Sequence, residues 1–204
     1  MMEMLEKTAA ALRRRHFEAA VFATAQEAAA FILSELPDGA SVAFGGSATC
    51  QQMGLAPLLR ENGHHVLWHW EVAPAERPAL LHQAMNAQVY ICSANALTQD
   101  GLIVQIDGNG NRVAAMCYGP STVYVIVGRN KLVNGGYTQA VKRIKEVACP
   151  LNARRQGLKT PCAENGACNP AKCPSPMCHI FASFDLAPGG KTTKVLLVDE
   201  DLGY

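Results

Sequence analysis

The sequence has almost no charge excess, no long hydrophobic run and no nucleotide-binding loop, and each absence removes a class of function. Its 18 Lys and Arg stand against 17 Asp and Glu, a formal net charge of +1. Nucleic acid is therefore not an expected partner, because phosphate recognition needs a basic patch or stripe. The one local run, Arg13-Arg14-Arg15, reads as the solvated last turn of a first helix, where cations meet the negative end of the helix dipole. No stretch reaches the roughly 18 to 20 uncharged apolar residues that span a bilayer, so no membrane partner is expected. The first fifteen residues carry Glu3 and Glu6 early and their arginines last, with no long apolar core. That is unlike a secretory leader and predicts a cytoplasmic protein. The Gly-rich spacings that cradle dinucleotides or nucleoside triphosphates are missing, so no nucleotide cofactor is expected. Internal repeats and low-complexity tracts are absent too.

What is present is a chain of 204 residues, 49% apolar, enough for one domain with a sizeable core. Residues 4–16 read as a helix and 17–22 as a strand. Thr24, with Glu27 three residues on, predicts a capped helix. Ser41 to Phe44 is a brief apolar strand running into Gly45-Gly46-Ser47, and a helix is predicted from there to about Arg60. Alternation continues with a strand over 64–70, a helix over 74–85 and a buried strand over 88–92. Leu102–Asp107 and Arg112–Ala115 flank Gly108-Asn109-Gly110, the composition of a hairpin loop. The β-branched run 122–127 is a strand, 136–148 a helix and 194–198 a last strand. Strands alternating with helices predict an α/β fold, a mainly parallel sheet flanked by helices with a small β-hairpin. The expected division is an α/β body over 16–158, a Cys-rich segment over 159–182 and a C-terminal strand region over 183–204.

Four segments carry candidate chemistry. In the first, a strand leads through Gly45, Gly46 and Ser47 to Thr49; this is either a tight turn with a serine N-cap or an anion cradle of backbone N–H groups and hydroxyls. Ser93 to Gly101, containing Asn95 and Asp100, follows a buried strand at the sheet edge where ligands bind in open α/β folds. Its polar residues equally suit plain turn stabilisation. The third and fourth segments contribute Asn111, Arg112 and Lys131, of which the two cations suit a phosphate or carboxylate, or an ordinary surface ion pair. Asp100 and Asp107 would qualify as an acid–base pair only if both faced one crevice. His64, His65, His69 and His82 show no metal-ligand spacing, and Trp68 and Trp70 read as packing residues.

Eight cysteines fall into two groups. Cys50, Cys92, Cys117 and Cys149 lie in apolar segments, where a free thiol acts as a small hydrophobe. Cys162, Cys168, Cys173 and Cys178 are spaced C-x5-C-x4-C-x4-C among four prolines. Four thiolates on a turn-rich segment suit Zn²⁺ or an iron–sulfur cluster; reduced thiols or a redox-active pair is the other reading.

Taken together, these segments resemble the LUD domain family, the lactate-utilisation proteins. The resemblance rests on F-G-G-S-A-T at 44–49, S-A-N-A-L-T-Q-D-G at 93–101, G-N-G-N-R-V-A-A at 108–115 and Y-G-P at 118–120. V-G-R-N-K-L-V at 127–133, P-L-N-A-R-R at 150–155 and the final D-L-G-Y complete it, spanning about 17–204. It implies a fold like that of ribose-5-phosphate isomerase, glucosamine-6-phosphate deaminase and the CoA transferases. It also implies a C-terminal cysteine cluster, although here the gap between the second and third cysteines is about two residues longer than usual. The function it implies is an accessory or subunit role in lactate oxidation and electron transfer, beside partner subunits bearing iron–sulfur clusters, with a small anionic ligand. Two alternatives stay open: a sugar-phosphate or CoA-type enzyme of isomerase or hydrolase character, and a regulatory domain binding a small carboxylate or phosphate at Gly45–Thr49. Homo-oligomerisation is left open as well.

Overall fold

In the computed structural model, which describes residues 1–204, the chain opens with α1 (Met2–Arg14), β1 (Glu18–Phe22), α2 (Ala25–Glu35) and β2 (Ser41–Phe44). It continues through α3 (Ala48–Gln52), α4 (Leu55–Glu61), β3 (His65–Trp68), α5 (Arg77–Ala84) and β4 (Val89–Ser93). Next come β5 (Ala96–Thr98), β6 (Ile103–Asp107), α6 (Asn111–Cys117), β7 (Thr122–Gly128) and β8 (Leu132–Val133). The last part holds α7 (Tyr137–Arg143), α8 (Cys149–Arg155), α9 (Pro161–Asn165), β9 (Ile180–Phe184) and β10 (Thr192–Val198).

Six strands pair in the order β1-β10-β7-β4-β2-β3, every pair parallel. Because side chains alternate across a strand, each central strand feeds two cores at once. In β7, Val123, Val125 and Val127 join the core beneath α1, whereas Tyr124 and Ile126 join the core beneath α2 and α4. In β10, Val195 and Leu197 point one way and Leu196 and Val198 the other. Full burial of such side chains contributes roughly 1.5–3 kcal/mol each, so the middle of this sheet is the rigid frame from which the loops project. A second, four-stranded sheet, ordered β8-β5-β6-β9, packs its Ala96, Val104 and Ile106 against Ala140, Ile144 and Ala148. No helix is long and apolar enough to cross a membrane.

The α/β class and the parallel sheet agree with the sequence reading, and several boundaries move. The helix expected from Ser47 to Arg60 is two helices, broken where Gly54 adopts φ 63°. A hairpin exists, but β5 and β6 form it. The segment expected as its second arm, 112–115, is helix α6, launched by Gly110 at φ 83°. The other edge of β6 pairs instead with β9, a strand the sequence did not announce. The helix predicted to stop at Ala148 runs on to Arg155 through a widened turn over Ile144–Ala148. Pro150 lacks the N–H that a regular ladder would need there, and the wider turn accommodates it.

Candidate functional site

The parallel strands β7, β4 and β2 are neighbours, so the loops leaving their carboxyl ends converge. The chain passes from β2 outward to β3 on one side and to β4, β7 and β10 on the other. Such a change of direction opens a crevice beyond the strand ends. The crevice has a volume of about 370 Å³ and collects Gly46 and Ser47 after β2, Ala94 and Asn95 after β4, and Lys131 after β7. Asp107, Asn111 and Arg112 form one wall; Trp70, Cys149, Asn152, Arg155, Cys178 and Tyr204 form others.

At its floor Lys131 is buried, with 3% of its surface exposed. Its Nζ donates to Thr49 Oγ1 at 2.7 Å and to Ser93 Oγ at 2.8 Å. Burial, then the nearby guanidinium of Arg143, lowers its pKa from 10.5 to about 7. Arg143 donates to the backbone carbonyls of Asn95 at 2.7 Å and Asn130 at 2.8 Å, tying two of the loops together. Asn95 is the hub of the wall, since its side-chain oxygen accepts from the Ile106 amide at 3.0 Å and from Arg112 Nη2 at 2.8 Å. Buried Gln105 supports it, donating to the Ser93 carbonyl and accepting from the Asn95 amide. Arg112 Nε is buried and has no protein acceptor. Arg155 lies over the Trp70 ring, 4.2 Å from its centre, and donates to Tyr204 Oη and Asn152 Oδ1, both at 2.9 Å. His69 lines the crevice, its pKa lowered by burial and then by Arg77, so it is neutral at pH 7.

The ion-pair pattern tells what this cleft is missing. Arg112, Lys131, Arg143 and Arg155 enter none of the salt bridges, which lie elsewhere on the molecule. The only acidic side chain lining the crevice is Asp107, whose carboxylate accepts from the Val113 amide at 3.1 Å and so caps α6. A cleft with cationic walls and a single, occupied carboxylate is shaped for an anion.

Most residues singled out from the sequence meet here, though not in the roles expected. Gly46 passes the Trp70 indole so closely that a Cβ would lie 3.1 Å from Nε1; Gly45 packs behind, against Tyr90 and Cys92. Ser47 spends its hydroxyl capping the Cys50 amide at 3.1 Å, and the helix it starts is only five residues long. The anion attraction therefore comes from side-chain cations and not from a helix N-terminus. Thr49 sits one step behind the wall and holds Lys131. Asp100 is apart from the crevice altogether: exposed, bonded to Thr98 and paired with Arg15 at 3.2 Å. Asp100 and Asp107 thus do not share a cleft, and no carboxylate pair forms.

The sequence reading overlooked Ser93, Arg143, Arg155 and Tyr204. The tail carrying Tyr204 is drawn in by Asn130, whose Oδ1 accepts from the Leu202 amide and whose Nδ2 donates to the Gly203 carbonyl. The motifs P-L-N-A-R-R and D-L-G-Y were the available signals for Arg155 and Tyr204, but neither was assigned a site.

The four C-terminal cysteines do not assemble. No three His, Cys, Asp or Glu side chains are grouped so as to hold a metal ion. Cys162 contacts Thr160 Oγ1 at 3.2 Å, exposed Cys168 lies 3.6 Å from Lys145 Nζ, and Cys178 faces Cys149 with sulfurs 3.3 Å apart. The contact with Cys149 lowers the Cys178 pKa and raises that of Cys149. This donor set does not fit a tetrahedral thiolate centre, and Cys149, buried among apolar side chains as the sequence reading expected, also lines the crevice.

The family model for the LUD domain matches residues 5–198. Among solved structures, a DUF162 family protein from Deinococcus radiodurans is similar, with 15% identity, 97% of each chain covered and a TM-score of 0.56. At that identity the likeness concerns the fold. A D-ribose-5-phosphate isomerase in complex with phospho-erythronic acid is 18% identical over 54% of this chain and 53% of that chain, with a TM-score of 0.37. No curated protein matches the chain.

Proposed function

Because the chain belongs to the LUD domain family, we propose that it serves lactate oxidation by binding a small 2-hydroxy or 2-oxo carboxylate, the lactate–pyruvate class, in the crevice beyond β2, β4 and β7. The observation that carries this reading is the pair of crevice guanidinium groups, Arg112 and Arg155, without carboxylate partners. An anionic ligand supplies the counter-charge these guanidinium groups lack. Arg112 and Arg155 hold the carboxylate, and Ser93 and Lys131 face its oxygen function, with Thr49 behind them. A three-carbon acid fills only the inner part of a cavity of about 370 Å³; the Cys149–Cys178 wall stays free for a co-ligand or partner segment. No acid–base carboxylate pair is available, so the hydride and electron chemistry falls to partner chains.

The test is thermal stabilisation of the purified chain by L-lactate, pyruvate, inorganic phosphate and ribose 5-phosphate in turn. Pyruvate or lactate raises the melting temperature, and Arg112→Ala and Arg155→Ala each remove that rise. Stabilisation by ribose 5-phosphate alone would replace this reading with the sugar-phosphate one. A rise unchanged in both variants would place the ligand elsewhere.

A further inference from the structure

Lys131 is bonded as a free amine would be. Thr49 Oγ1 donates its own proton to the Leu202 carbonyl at 3.1 Å, and Ser93 Oγ donates to the Ile126 carbonyl. Both hydroxyls therefore accept from Nζ. Two acceptors use the two N–H bonds of a neutral amine and leave its lone pair unengaged. An ammonium would carry a third N–H with no protein acceptor, a cost of about 1–3 kcal/mol or more for a charged group. No carboxylate pairs with this side chain, and the cations Arg143 and Arg112 disfavour its charged form. Gly203 packs closely beside it, since a Cβ there would lie 2.6 Å from Thr49 Oγ1 and 3.3 Å from Nζ. The residue also lines the crevice, as Arg112 and Arg155 do.

We propose that Lys131 is a nucleophilic amine that condenses with the carbonyl carbon of a 2-oxo acid bound in the crevice, forming a covalent imine. It rests on the carboxylate-binding reading above and adds a covalent step to it. The Nζ lone pair adds to the carbonyl carbon, and the oxygen then leaves as water with the two amine hydrogens, so no oxidant or reductant takes part. A lysine whose burial and cationic neighbours hold it near neutrality supplies the reactive form at pH 7. Thr49 and Ser93 orient the nitrogen.

The experiment is reductive trapping. The full chain is incubated with pyruvate and sodium cyanoborohydride near neutral pH, then read by intact mass and peptide mapping. Expected is one adduct, of mass pyruvate less water plus two hydrogens, on the peptide containing Lys131. Lys131→Arg, which puts a guanidinium where the amine stood and cannot form an imine, loses the adduct. Lys131→Met, whose melting curve reports that it folds, loses the adduct too. Thermal stabilisation by pyruvate with Lys131 unlabelled would overturn the amine role and leave the anion site standing. Equal labelling of exposed lysines in wild type and Lys131→Arg would overturn it as well. Neither stabilisation nor adduct would overturn both the covalent step and the carboxylate reading beneath it.

Discussion

Replacing Lys131 by Met makes stability depend on pH in a direction the structure dictates. In the folded chain this lysine titrates at about 7, against 10.5 for an ordinary lysine. Between those values the unfolded chain binds the proton and the folded chain does not, so the wild type gains stability as pH rises through that window. Each tenfold change in proton affinity is worth about 1.36 kcal/mol, which puts the penalty of the buried site at about 4 kcal/mol near pH 7, vanishing towards pH 10.5. Met has similar length and no charge, so the variant escapes that penalty. It also leaves Thr49 and Ser93 without the donor they accept from, a loss of about 1–2 kcal/mol, softened because each keeps its bond to a carbonyl. The variant is therefore more stable than wild type by about 2–3 kcal/mol near pH 7, and less stable by no more than about 1 kcal/mol near pH 10, where about 1 kcal/mol of the penalty remains. Urea unfolding of both proteins at several pH values across the window measures this. Buried Cys50 and Cys92, raised to about 11 and about 12, are common to both proteins and largely cancel. A difference between the two proteins that stays constant across the window would refute the assignment of a neutral, buried lysine.

Asn95→Ala strips the Ile106 amide and Arg112 of their shared acceptor and is expected to lower stability by about 1–3 kcal/mol; it should also abolish the melting shift with pyruvate. Gly128→Ala would set a Cβ 2.6 Å from the Leu202 amide nitrogen and 2.8 Å from the Glu200 carbonyl oxygen, both backbone. A loss of about 1–3 kcal/mol follows from such overpacking, whereas Gly189→Ala, with nothing within 4 Å, serves as a near-neutral control in the same urea melts. The purified chain with lactate and a dye acceptor shows no turnover, since its crevice holds no acid–base pair; robust reduction of the dye would sink that expectation. Iron, sulfide and zinc measured after anaerobic purification fall well below one equivalent, because Cys162, Cys168, Cys173 and Cys178 stand apart. A stoichiometric metal would overturn the arrangement described for that segment.

Local pattern was enough for the framework. The β-branched run at 122–127, the capped start at Thr24 and the strand ending in Gly45-Gly46 are properties of a few consecutive residues, and they carry the α/β class whatever the rest of the chain does. The motif order carried the LUD resemblance, which the match over 5–198 bears out. Tertiary structure alone decided which loops meet. Lys131, Thr49 and Ser93 are 38 to 82 residues apart along the chain and within hydrogen-bond reach in space, because β10 inserts between β1 and β7 and leaves β7, β4 and β2 side by side. Asp100 looked as promising as Asn95 in the sequence, yet a turn of hairpin carries it to Arg15 on the outside while Asn95 stays at the wall. Strand pairing order, burial and the presence or absence of a counter-charge are non-local sums over the whole fold. A sequence therefore names the groups that can do chemistry, and only packing determines which of them lose their water and face one another.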